Sequence, residues 1–213
     1  NLDQLPRANG PFGPGSVGYL EDTGFPEHDT DKAKDLLAQY EEETGEPLEF
    51  TFTVQNTPDV VASAQLVQSQ VAKVGARVNI DPVEQATLIN LAIAGDFQAL
   101  SFRNHPGGDP DLQYIWWHGG SITNFNKFDD PEINALLDEG RAEPDPARRQ
   151  VIYEDINREF AKEVYNIWLN WTVWAIGTAT NVHGIMDTPL PGGQEPFPGL
   201  AVGHSLAGTW ISD

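Results

Sequence analysis

The sequence predicts an α/β fold, a mixed and largely parallel sheet flanked by helices. Three observations predict it. Short alternating apolar runs are interleaved with amphipathic runs of helical length. The helical runs open on capping residues and close on glycine. The segments between successive strands are too long for hairpins, so the strands are expected to pair in parallel through right-handed crossovers. With 213 residues, the chain can bury a sizeable core as one large domain or two small ones.

Residues 1–30 read as an extended lead-in, rich in Gly and Pro (Gly10-Pro11, Gly13-Pro14-Gly15). A first helix is expected over 31–43, capped by Asp29 or Thr30, with Ala33, Leu36, Leu37 and Tyr40 on one face and Gly45 past its end. Leu48 to Val54 alternates strictly and reads as a strand. Thr57-Pro58 then opens a second helix, whose Val60, Ala64, Val67, Val71 and Val74 recur at 3.6-residue spacing up to Gly75. A second strand is expected over Ala76–Asp81 with Val78 and Ile80 on one face. Asp81-Pro82 should start a third helix that runs through Leu88, Leu91 and Ala92 to Gly95. Phe97–Phe102 reads as the third strand.

Beyond residue 102 the pattern changes. The stretch Arg103 to Asp111 is polar and turn-rich, and Tyr114, Trp116, Trp117 and Gly119-Gly120 follow it. Asp130-Pro131 caps a helix to Gly140, and Asp145-Pro146 caps a longer one through Ile152, Ile156, Phe160 and Val164. Asn166–Ile176 reads as two short strand-like stretches, in which alternation puts Trp171 on a core face with Ile167 and Leu169. The α/β body is expected to span 31–180. Residues 181–213 read as a tail that wraps the surface or a partner.

Composition narrows the function classes. Acidic residues number 32 against 12 basic ones, a formal net charge of −20 that repels phosphate backbones and anionic lipid, so no nucleic-acid partner is expected. There is no cysteine, hence no disulfide, thiolate metal site or cysteine nucleophile. No apolar run is long enough to span a bilayer. The chain opens at Asn1 with neither an initiator Met nor a signal peptide, as a processed protein or a piece of a longer one would.

In open α/β sheets, ligands gather outside the carboxyl ends of the strands. Three loops fall there: Gln55-Asn56-Thr57, Asp81-Pro82, and Arg103 to Asp109. The third is the richest, with a guanidinium (Arg103), an amide (Asn104), an imidazole (His105), the backbone-exposing Gly107 beside Gly108, and Asp109. Trp116 and Trp117 could supply a stacking wall, and Asn56 a further contact. The competing reading makes Arg103 and Asp109 a surface ion pair and puts the tryptophans in the core. Thr57 reads as a helix cap. Catalytic and metal residues are expected to be none. No nucleophile elbow, zinc-protease helix or phosphate loop occurs, and the histidines are scattered; no cofactor is expected. A hydrolase using clustered carboxylates, or a nickel or metallophore binder through His105 and His118, remain as alternatives.

Several segments resemble one family, in its order. They are Asp31 to Leu37, the third strand running into Gly108-Asp109-Pro110-Asp111, Asn124-Phe125-Asn126, Asp130 to Glu139, Asp145 to Arg149 with Ile152-Tyr153, and Asn166 to Leu169. Together they are similar to extracellular solute-binding proteins of family 5, which serve peptide, nickel and related ATP-driven (ABC) importers. The resemblance implies a periplasmic-binding-protein-like lobe, the C-terminal one of two that close on a small-molecule or peptide ligand. It also implies an absent N-terminal lobe, a membrane permease as partner, and an extracellular or periplasmic location with a lipoprotein tether. The tail after 181 would return toward the absent lobe. In peptide-binding relatives a carboxylate just past the third strand pairs with the peptide ammonium. Here that position is Pro106, so Asp109 or Asp111 takes the role or the ligand has no free amine there. Arg103 suggests a carboxylate or carbonyl on the ligand.

Overall fold

The computed structural model describes residues 6–104, 109–171, 177–185, 187 and 208–212. The chain divides into two compact units. One comprises 26–104 and 122–128, and the other comprises 1–25, 105–121 and 129–213.

The first unit is the parallel sheet and its helices. Asp29 is extended, and its carboxylate accepts hydrogen bonds from the N–H groups of Asp31 and Lys32, which starts α1 (Thr30–Thr44). The helix ends at Gly45, where φ is 79°. Strand β1 (Glu49–Gln55) pairs in parallel with β2 (Arg77–Val83), and with β3 (Ala99–Leu100) through Phe52–Ala99 and Thr53–Leu100. The order is β2-β1-β3. Central placement explains why Thr53 and Val54 are buried while most of the edge strands are not. Helix α2 (Pro58–Val71) tightens into a 3-10 turn at Ala72–Val74 and stops at Gly75. Gln68 of α2 donates from Nε2 to the Val78 carbonyl, 2.6 Å away, tying that helix to β2.

Two boundaries differ from the sequence reading. Asp81-Pro82 does not open a helix: β2 runs through both, with Asp81 opposite Thr53 and Pro82 opposite Val54, and α3 (Gln85–Ala94) follows Glu84. The reason is geometric. Arg77 and Val83 turn their polar groups toward β1, so the strand's two-residue alternation turns Pro82 outward, where an edge strand needs no N–H. The third strand is also shorter than Phe97–Phe102. The Gly95 and Asp96 N–H groups still bond back to the last turn of α3, and only Ala99–Leu100 pair, with the Ser101 N–H reaching the Thr53 carbonyl at 3.0 Å.

The second unit is helical. A 3-10 turn (Pro110–Gln113) leads into the short α4 (Tyr114–Trp117), and α5 (Pro131–Ala142) packs on α6 (Pro146–Glu163). The side chains of Asp109, Asp130 and Asp145 each accept backbone N–H groups at the start of their helix. Ile133 and Leu137 of α5 meet Ile152, Tyr153, Ile156 and Phe160 of α6 in the core. Strands β4 (Val182–His183) and β5 (Trp210–Ile211) pair antiparallel, so the described part of the tail carries sheet of its own.

The Gly/Pro-rich start is more than a lead-in. Phe12 is 1% exposed and stands edge-on to Tyr153 with ring centroids 5.4 Å apart. Gly18 lies against the same tyrosine with φ 86°, where a Cβ would come within 2.5 Å of the Tyr153 Cβ. Arg7 forms an isolated bridge to Asn170, and the Trp171 N–H donates to the Pro6 carbonyl at 2.9 Å. The expected core face of Ile167, Leu169 and Trp171 is not found. Ile167 is 77% and Leu169 55% exposed, and Trp171 is half-buried with its six-membered ring against Gly13. Of the two strand-like stretches expected over 166–176, residues 172–176 lie outside the described residues, and 166–171 contribute that single bridge.

Candidate functional site

In the sheet unit, β1 and β3 are adjacent and parallel, so their carboxyl ends deliver Asn56 and Arg103 to the same edge. Both are exposed. Arg103 Nη2 lies 3.7 Å from Asp59 Oδ2, with both side chains more than half exposed. Thr57 holds the N-cap position of α2 but makes no side-chain cap bond. The Thr57 side chain beside the Asp59 carboxyl holds it below the ordinary aspartate range. The N–H groups of Asp59 and Val60 and the Arg103 charge act in the same direction, and desolvation opposes them. Asn104 is half-buried. Phe102 stands edge-on to Phe125, with ring centroids 5.0 Å apart, which gives this edge an aromatic wall. His105 and Gly107 lie outside the described residues.

In the helical unit, Asp109 is committed elsewhere. Arg149 grips it with both terminal nitrogens, Nη1 donating to Oδ2 at 2.8 Å, while Nε donates to the Gly140 carbonyl at 2.9 Å. That hydrogen-bonded grip holds the Asp109 carboxyl below its ordinary range, against the opposing effect of burial. Asp111 is likewise bound by Arg141, Nε to Oδ1 at 2.7 Å and Nη2 to Oδ2 at 3.1 Å. The Arg141 guanidinium lies 3.6 Å from the Tyr114 ring centroid, and His118 stacks on the same ring at 4.5 Å. The Tyr114 hydroxyl donates to Asp138 at 2.8 Å. Neither carboxylate that could have replaced the acid at Pro106 is thus available without breaking a bidentate arginine pair.

Trp117 is a core residue. It is 8% exposed, donates Nε1–H to Gln113 Oε1 at 2.7 Å, and packs edge-on to Phe160 and Trp168. Its indole cannot serve as an open stacking wall. Trp116 is half-buried beside it. The suggested Arg103–Asp109 ion pair is replaced by Arg103–Asp59 and Arg149–Asp109. Sequence reading missed Asp59, Phe125, Arg141 and Arg149. Asp59 sits behind a proline at a helix start, where an acid is expected merely to favour the helix end. Arg149 lies forty residues from its partner, and no local pattern reports such a pair.

Among the described residues, no group of three or more His, Asp or Glu could hold a metal ion. No described helix is long and apolar enough to cross a membrane.

A parallel α/β unit that gathers polar side chains at its strand ends has the build of a ligand-binding lobe. Residues 3–126 match the family described as bacterial extracellular solute-binding proteins, family 5 Middle, and the chain belongs to that family. A similar curated protein is the di/tripeptide-binding protein 4 of Pseudomonas aeruginosa (strain UCBPP-PA14), 29% identical over 86% of this chain and 36% of that protein. The chain therefore spans little more than a third of that relative's length. Among solved structures, the PBP AgaA from A. tumefacien R10 in complex with agropinic acid is 26% identical. It aligns with a TM-score of 0.72 over 99% of this chain and 43% of its own. The dipeptide-binding protein from Pseudoalteromonas sp. SM9913, in complex with Met-Leu, shares the fold at 20% identity. Its TM-score is 0.72, over 98% of this chain and 40% of its own.

Proposed function

We propose that this chain is the C-terminal lobe of a two-lobed substrate-binding protein of an ABC importer. It captures a small peptide-like or other polar organic solute without catalysing a reaction on it. The observation that carries this reading is the match to the extracellular solute-binding family, which runs through the whole parallel sheet and the loop beyond β3. The relatives' ligands, di- and tripeptides, Met-Leu and agropinic acid, support this solute class. All of these can carry a carboxylate, and Arg103 is suited to one.

The contacts proposed on the sheet edge are Asn56, Arg103 and Asn104; His105, Gly107 and Trp116 are proposed as further contacts on the sequence alone. Asp109 acts by holding its own segment in place. An N-terminal lobe closes over the ligand, a membrane permease reads the closed form, and a lipid tether keeps the receptor outside the cell. Closure is driven by the ligand's greater affinity for the closed state than for the open one.

Native purification of the receptor containing this lobe, followed by mass spectrometry of the released ligand, tests the reading. A peptide or amino-acid conjugate with a free carboxylate is expected; a metal chelate would exclude the reading, and a neutral sugar would exclude its peptide-like form. Calorimetry of the 213-residue chain should give much weaker binding than the complete receptor, because half the contacts are absent. Equal affinities would contradict the two-lobed capture.

A further inference from the structure

We infer that Asp59 sets the charge specificity of the proposed solute site, by partly neutralising Arg103 so that the sheet edge favours ligands without excess negative charge. The inference rests on the solute-binding reading above and concerns the same edge of the sheet.

Three observations carry it. First, Arg103 donates no hydrogen bond among the described residues, and its one ion pair is with Asp59, at 3.7 Å, too long for a hydrogen bond. Among the described residues its fork of N–H donors is unspent, just past the end of β3 at the candidate ligand edge. Second, Asp59 does not depend on Arg103 to stay charged. The Thr57 side chain and the N–H groups at the start of α2 support its carboxylate, with Arg103 the smallest contributor. Asp59 is therefore a fixed negative charge beside an adaptable positive one. Third, the chain as a whole carries a net charge of −20, which disfavours the approach of anions. A carboxylate on the ligand must displace or share Arg103 against Asp59, while an ammonium on the same ligand gains from Asp59. The pair as a whole suits a zwitterion.

The geometry explains why neither group alone would suffice. An isolated Arg103 would favour any anion, including inorganic ones. An isolated Asp59 would favour any cation. Exposed side chains of opposite sign set the charge preference of this edge together, and each contributes modestly because water screens it.

Three peptides of one shape and different charge test the inference: trialanine, N-acetyl-trialanine and trialanine amide. Each is titrated into the isotopically labelled chain and followed by NMR, which reads weak binding. The wild type should prefer trialanine. Asp59→Asn should raise the affinity for N-acetyl-trialanine relative to trialanine amide by about two- to fivefold, the size expected of one exposed charge. Arg103→Gln should shift that ratio in the opposite direction. Both side chains are exposed and outside the core, so both variants should keep the fold, and the backbone spectrum checks it. An unchanged ratio in Asp59→Asn, with the wild type still binding, overturns the inference and leaves the solute-binding reading intact. A wild type that binds none of the three overturns the inference, because this edge then reads neither charge on such a ligand; the peptide-like reading is decided separately, by the ligand released from the complete receptor.

Discussion

Replacing Arg149 with Met should weaken the helical unit by about 2 kcal/mol, and the structure shows where that figure comes from. The arginine makes two charge-assisted hydrogen bonds to Asp109 and a third to the Gly140 carbonyl. Hydrogen bonds to charged groups contribute about 1.5–3 kcal/mol when sheltered. Here the Asp109 side chain is 55% exposed, so water recovers much of the ion pair, and about 1 kcal/mol is the expected coupling. The Gly140 carbonyl, left without its donor, adds roughly 1 kcal/mol. The assay follows from where the chromophores lie. The described tryptophans, Trp116, Trp117, Trp168, Trp171 and Trp210, fall in this unit, so tryptophan emission during urea unfolding reports chiefly on it.

A double-mutant cycle of Arg149→Met and Asp109→Asn should return the coupling. The pH dependence supplies a second check. Asp109 is depressed in the folded state, so its contribution is present above the unfolded value of about 3.9 and is lost as pH falls through the folded value. The difference between wild type and Asp109→Asn should therefore shrink steadily below about pH 4. A coupling within about 0.3 kcal/mol of zero, the usual error of additivity, would refute the reasoning. So would a difference that stays constant as the solution is acidified.

Two further perturbations probe the core. Phe160→Ala removes the ring that meets Trp117 at 5.1 Å and Trp168 at 5.9 Å. It should cost about 3–5 kcal/mol and red-shift tryptophan emission; a loss below about 1 kcal/mol would mean the site collapses freely. Gly18→Ala combines a left-handed backbone with a 2.5 Å approach to Tyr153 and should lower the unfolding midpoint, whereas Gly24→Ala, left-handed but open, isolates the backbone part.

The parts of this fold that sequence reading recovers are those fixed by local chemistry. Asp29, Asp130 and Asp145 cap their helices, and Gly45, Gly75 and Gly95 end theirs in the left-handed region. Parallel pairing followed from the length of the crossovers. What failed depended on context. Asp81-Pro82 looks like a helix start, and only an edge position lets it remain in a strand. Ile167, Leu169 and Trp171 alternate as a buried strand would, yet the first two are exposed. Phe12 belongs to the core because Tyr153, far along the chain, supplies its partner face. In the candidate site, Arg103 and Asn56 were legible as strand-end residues. The commitments of Asp109 and Asp111 were not, since each is made by an arginine from a distant helix.

Those commitments change how a ligand ammonium would be held. The family resemblance leads one to expect an acid where Pro106 stands, and Asp109 and Asp111 are the nearest acids downstream. Each, however, already accepts a bidentate arginine, so recruiting it would leave a guanidinium unpaired. Arg149 is the more sheltered of the two arginines, its side chain 20% exposed, and stranding it would cost more than an exposed ammonium pair returns. Asp59 faces no such obstacle. Its partner Arg103 is exposed, loosely held and able to turn to a ligand carboxylate, which leaves the Asp59 charge to an ammonium. Within the proposed function, the lost acid is thus better replaced across the sheet edge, at the start of α2, than along the chain.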